Sequence, residues 1–297
     1  MAVTTSIVDL SKLDPPTIVE LLDYEAILAR KVARMQALIP DFDATVDSDP
    51  AIKVLQVAAY DELLLRQDFN ERVVGRLVAY ATGATLDHIG AAIGVARLEV
   101  TGANAATGAA PIYEDDDSFR ARVVLGPEGF AAAGPELAYV KRAKDAGTDV
   151  LDASATSPAP GEVLVTVLSR SGDGTASAAL LDAVRTIVTD KAVRPVGDFV
   201  TVAAATQLRF TISALLYTFA GPDVGLILAT ARARLDAYLV EARALGRNIT
   251  LSRINAALTV PGVQRVEISS PAADVVCDRT QAGLCLDIML GHGGYDD

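Results

Sequence analysis

At Val150 the hydrophobic period of this chain changes, and that change constrains the fold more than any other feature. Before it, apolar residues recur every three or four positions, as on one face of a helix. After it they alternate or run on continuously, as in strands. Val163, Val165 and Val167 alternate with Leu164, Thr166 and Leu168, a strand apolar on both faces. Leu180 to Val188 reads as a helix and Phe199 to Ala203 as a second strand. Then Leu208 to Thr218 is β-like, Pro222 to Leu245 a long helix, Leu251 to Leu258 a short one, and Val263 to Ser269 a strand. This order predicts an α+β chain: an N-terminal long-helix region followed by two small α+β sheet domains, each with helices on one face of its sheet. The expected divisions are a helical region over 1–100, a helical connector over 101–149, and α+β domains over 150–204 and 205–297. The glycine-rich end, Gly291 to Asp297, reads as a frayed, flexible tail.

The helical region has two main pieces. Pro15-Pro16 opens a run with Ile18, Leu21, Leu22, Leu28, Val32 and Met35 at helical spacing, closed by Pro40. Ser48-Asp49-Pro50 starts a second helix, which nothing but Gly75 interrupts as far as Ala81. About thirty residues would span roughly 45 Å, long for a compact domain. Ile52, Leu55, Ala59, Leu63, Val73 and Leu77 share one face, with Arg66 and Asn70 set among them. Two readings stand. The apolar stripe drifts toward Leu65 and Phe69 and leaves the polar pair at its margin, or the whole face docks in a helical bundle whose polar position fixes register. On the second reading Ile52, Leu55, Ala59, Leu63, Arg66, Asn70, Val73 and Leu77 form a partner interface. Further on, Leu86 to Ile93 reads as a short helix behind a Thr85 cap, and Thr101 to Ala110 as a linker or exposed turn. Helices follow from Asp115-Asp116-Asp117-Ser118 to Leu125 and from Pro135 to Ala146.

The apolar content is high, 51%, yet it is mostly Ala, Val and Leu, with 5% aromatics and no Trp. No span approaches the roughly 20 apolar residues of a membrane helix, so membrane insertion is not expected. Part of the apolar excess is instead expected in subunit contacts. The net charge of −12 is spread evenly, −6 over residues 1–100 and −6 over the rest. Without a basic footprint a nucleic acid is not an expected partner. Cys277 and Cys285 have no nearby His, which argues against zinc, and they read as small, partly buried residues rather than a disulfide.

No constellation reaches the standard for catalysis, and no cofactor or metal is expected. The Asp115-Asp116-Asp117 run suits a helix N-terminus better than a cation, because consecutive carboxylates point apart. Gly172-Asp173-Gly174 lies between a strand and a helix, where a phosphate loop could sit. It lacks the Lys and Ser/Thr of such a loop, and Asp173 would repel phosphate. A small-molecule-binding or enzymatic α+β protein using that loop is nevertheless the alternative reading. His88 reads as a helix-surface residue, and neither it nor His292 has a nucleophile in a recognisable motif.

Several stretches together resemble a known family. They are Val8-Asp9-Leu10-Ser11, Leu13-Asp14-Pro15-Pro16, Leu21-Leu22-Asp23-Tyr24-Glu25-Ala26-Ile27-Leu28, Ala58-Ala59-Tyr60-Asp61-Glu62-Leu63 and Leu77-Val78-Ala79-Tyr80-Ala81-Thr82-Gly83. Val193-Arg194-Pro195-Val196-Gly197-Asp198-Phe199 and Val260-Pro261-Gly262-Val263-Gln264-Arg265-Val266 continue the series. In this order they resemble the baseplate J-like family of contractile-tailed phages and phage-like particles, across nearly the whole chain. The family pattern has a basic residue where Asp61 stands and an Asp where Gly197 stands. The resemblance implies a non-enzymatic baseplate wedge subunit, two copies per wedge, whose N-terminal helices bundle with an I-type wedge protein. It further implies α+β domains that meet neighbouring wedges to close a ring around the hub and beneath sheath-initiating proteins. Such a protein sits in the virion tail and is assembled in the host cytoplasm.

Overall fold

In the computed structural model the described residues are 10, 13–14, 16, 22–43, 49–103, 108–130, 136–190, 194–195, 197–221 and 223–296. The chain divides into two compact units, one of residues 1–97 and 115–124, the other of 98–114 and 125–297.

The first unit is helical. Helix α1 (Tyr24–Leu38) starts at Asp23, whose carboxylate accepts the Glu25 and Ala26 amides. The expected opening at Pro15 falls largely outside the described residues. Helix α2 (Pro50–Val74) is capped by Asp49 on the Ala51 amide, with Pro50 in its first turn. Its 25 residues span roughly 37 Å. It ends at Gly75 and does not continue to Ala81. After Val74 the bonds tighten to i→i−3, Arg76 to the Val73 carbonyl and Leu77 to that of Val74. Arg120 then takes the carbonyls of Val78 and Ala81, so a side chain distant in sequence stabilises the turns that follow the helix. Helix α3 (Gly83–Ala92) begins after Thr82, three residues ahead of the expected start, and Thr85 lies inside its first turn. Ala81, Leu86 and Val95 pack with Phe119 and Val123 as a small core. The latter two belong to α4 (Asp116–Leu125).

The second unit begins with a two-stranded antiparallel ribbon, β1 (Glu99–Thr101) and β2 (Ile112–Tyr113), whose strands flank the stretch read as a linker or exposed turn. Helix α5 (Glu136–Lys144) follows a 3-10 turn over Gly126–Phe130. Two three-stranded sheets come next. In the first, β3 (Val150–Thr156) runs antiparallel to β4 (Glu162–Ser169). Helix α6 (Ala178–Val188), capped by Ser177, returns the chain to β5 (Phe199–Ala204), parallel to β4. Val165, Val167, Val184 and Val188 are fully buried in its core. In the second, β6 (Thr206–Thr218) is central. Helices α7 (Val224–Ala242) and α8 (Leu251–Leu258) then lead to β7 (Val263–Ser270) and β8 (Gln281–Tyr295) on its two sides. Ile212, Leu216, Leu235, Ile254 and Leu258 fill that core. The α+β class expected from the period change is the observed one.

Strand β8 corrects one expectation. The end read as a frayed tail is paired with β6, Gly291 against Leu215, His292 against Leu216 and Tyr295 against Thr218. Its glycines erase the apolar alternation by which a strand is recognised. They also have a packing reason: a Cβ at Gly293 would come within 2.6 Å of the Tyr217 ring, and one at Gly291 within 2.9 Å of Leu215 Cδ2. The side chains of β6 lie over β8 because β8 lacks them there.

Candidate interaction surface

Helix α1 lies beside α2, and the helices are tied by charge at their middle. Glu62 of α2 receives Lys31 at 2.8 Å, Arg30, and Arg66 one turn along its own helix at 2.9 Å. The hydrogen bond from Lys31, then the charges of Arg30, Lys31 and Arg66, outweigh partial desolvation and bring the Glu62 carboxyl down to about 2. Nearby, Arg30, Lys31, Arg34, Met35 and Leu38 face Leu55, Ala58 and Glu62 across a cleft of about 420 Å³.

The eight residues read as a partner face therefore have distinct surroundings. Ile52 and Ala59 are buried within the chain; Leu55, Leu63, Asn70 and Val73 are half-buried. Arg66 is half-buried and bonded to Glu62. Leu77 lies beyond the helix end and is exposed. Leu65 and Phe69 do not draw the stripe inward, since both project into solvent. With them stand Val54, Val57, Tyr60 and Leu64; the six are 45–71% exposed. At 100° per residue Val54, Val57, Tyr60, Leu64 and Leu65 occupy the side of α2 turned away from Ile52 and Ala59, while Phe69 projects beside Glu62. The helix is apolar on two sides. A single-stripe reading registers one of them and misses Val54, Val57, Tyr60 and Leu64, although their spacing of three to four residues was visible.

The chemistry-bearing motifs have structural partners. Asp115 accepts the Asp117 and Ser118 amides and the Ser118 hydroxyl, which holds its carboxyl below the usual range. Asp116 turns to Arg97 and the Gly83 amide, and Asp117 to Arg120. The three carboxylates diverge, as a cap requires. In the Gly172–Gly174 turn the Asp173 carboxylate accepts the Thr175 amide and Arg209, while its carbonyl accepts Arg243 at 2.7 Å. His88 is exposed on α3, and His292 Nε2 lies 3.1 Å from the Thr218 hydroxyl. Cys277 and Cys285 are unbridged thiols, both pushed up by burial.

At Ile288 the backbone groups of an edge strand of the second sheet are engaged by side chains. On β8 the Asp287 carboxylate accepts the Ile288 amide at 2.9 Å, and Arg232 of α7 donates to the Ile288 carbonyl at 3.3 Å. Side chains that occupy edge-strand backbone groups hinder unplanned strand addition.

One long exposed apolar surface on a helix, beside candidate motifs that are engaged within the fold, is the pattern of a structural protein and not of a catalytic one. Family models describe the same chain in three consecutive parts: the Baseplate J-like N-terminal domain matches residues 47–104, the central domain 131–204 and the C-terminal domain 210–288. The chain belongs to the baseplate J-like family. It is 40% identical over 300 aligned residues to the protein named Baseplate protein J of Escherichia phage P2, covering 98% of this chain and 99% of that one.

Proposed function

We propose that this chain is a non-enzymatic structural subunit of a contractile phage-type tail baseplate, located in the virion and assembled in the host cytoplasm. Full-length relatedness to a phage baseplate protein supports the coarse reading. The observation that carries the finer one is the apolar outer face of α2, Val54, Val57, Tyr60, Leu64 and Leu65. A contiguous face of that size on a 25-residue helix is costly to leave in water and is relieved by a partner helix. The α1–α2 pair thus enters a bundle with a second copy and with the I-type wedge protein. Leu55, Leu63, Arg66, Asn70, Val73 and Leu77 contribute where α1 leaves the inner side of α2 open. The α+β unit meets neighbouring wedges, hub and sheath-initiating proteins, and contacts that close by rotation complete the ring.

Co-expression with the I-type protein, followed by sizing and electron microscopy, tests this reading. A hetero-oligomer is expected, lost on Val57→Asp with Leu64→Asp. A lone, monodisperse monomer with a stable N-terminal half would overturn it. The alternative, a nucleotide-using enzyme built on the Gly172–Gly174 turn, is disfavoured by a carboxylate where phosphate would sit.

A further inference from the structure

We infer that the two sheets, β3–β5 and β6–β8, form one rigid body joined without a hinge, so that any change of shape in this chain is taken up outside them. The inference is independent of the particle to which the protein belongs.

The joint is one residue long. Strand β5 ends at Ala204 and β6 begins at Thr206, leaving only Ala205 between the sheets. Ala205 is 4% exposed, and its amide donates to the Val167 carbonyl of β4 at 2.9 Å. The next amide, Thr206, donates to the Thr280 carbonyl just before β8 at 3.0 Å. Successive amides are therefore pinned to different sheets. A hinge needs residues free to absorb a change in φ and ψ, and a rotation here would break one bond or the other.

The seam around the joint is filled. Leu168 and Ala282 are fully buried beside Ala205, with Leu151 and Leu245 against them. Polar ties cross on both sides: the Leu245 amide donates to Asp152 at 3.0 Å and Ser154 Oγ to the Arg279 carbonyl at 2.5 Å. Arg279 pairs with Glu136, and Asp173 receives both Arg209 and Arg243. Gly174, at φ +93°, lets this last contact form, because a Cβ there would stand 2.5 Å from Arg243 Nη2 and 3.0 Å from Leu168 Cδ1. Interfaces between domains that move are usually open and sparsely tied; this one is neither.

The test uses the full chain with Cys277 and Cys285 changed to Ser and spin labels at Asp182→Cys on α6 and Arg234→Cys on α7. The distance distribution across the seam is expected to be as narrow as one measured within a single sheet unit. Four Gly/Ser residues inserted between Ala205 and Thr206 should broaden it by about twofold or more, as a flexible linker does. A broad distribution in the starting chain, or an insertion without effect, overturns the inference. Should the insertion fail to fold, Arg279→Ala combined with Arg243→Ala replaces it. Hydrogen exchange then reads whether β4 and β6 lose their shared unfolding midpoint in denaturant. Separate midpoints before mutation, or unchanged coincidence after it, count equally against rigidity.

Discussion

Glu62 and Lys31, on two different helices, meet at 2.8 Å, and this pair is the centre of the charge cluster that ties α1 to α2. The Glu62 carboxyl lies at about 2, below its ordinary 4.5. Because the folded value is the lower one, the contribution is complete above pH 4.5 and disappears as pH falls toward 2. Glu62→Gln should lower the melting temperature at neutral pH, and the gap from the native chain should close between pH 4.5 and 2. Melts followed by circular dichroism across that window check it; a gap independent of pH would sink the assignment.

Gly90 and the Phe119 ring leave no room for a methyl group. A Cβ at Gly90 would lie 2.5 Å from Phe119 Cζ and 2.7 Å from the Val95 carbonyl. The ring is fully buried and has Arg97 stacked 4.6 Å above it, and Arg97 is itself held by Asp87 and Asp116. Gly90→Ala should cost about 1–3 kcal/mol through overpacking, and Phe119→Ala about 3–5 kcal/mol through the cavity it leaves. Denaturant unfolding measures both.

The last strand gives a prediction opposite to that of a loose tail. Ending the chain after Leu290 removes the pairing of Leu215 to Thr218 with Gly291 to Tyr295 and the His292–Thr218 contact. With each lost hydrogen bond worth about 0.5–1.5 kcal/mol, the truncation should measurably destabilise the second sheet. Unchanged exchange of the β6 amides would contradict this.

Gly174→Val separates the structural reading of the Gly172 turn from the enzymatic one. The substitution forces a β-branched side chain to φ +93° and against Arg243 and Leu168, so it should cost roughly 1–3 kcal/mol in backbone strain alone. Calorimetric titration of the unmutated chain with nucleotides should show no binding. Heat that appears there and is lost in the variant would restore the enzymatic alternative.

Asn70 is half-buried on α2. Asn70→Leu should preserve a bundle with the I-type protein while blurring its stoichiometry, since a polar residue at such a position specifies register. Sizing with light scattering reads the outcome; identical stability and stoichiometry would remove Asn70 from the interface.

Much of the architecture was legible because it depends on local pattern. Asp49-Pro50 marks a helix start by cap chemistry, and Leu251 to Leu258 is a helix in sequence and in structure. The apolar run from Val163 to Leu168 is buried on both faces, as its composition implied. The interaction surface was half legible. The inner side of α2 carries the cleaner stripe, but α1 shares it, and burial by a neighbour within the chain cannot be told from burial by a partner using periodicity alone.

What the sequence alone determined is the α+β class and the placing of most helices and strands, because side-chain period and capping act over a few residues. Tertiary structure alone decided how the segment after α2 is held, through Arg120 on Val78 and Ala81 some forty residues away; that β8 is a strand, through Tyr217 and Leu215 lying over its glycines; and which side of α2 stays bare. Each of these depends on an atom distant in sequence filling or leaving a space, and no local pattern encodes that.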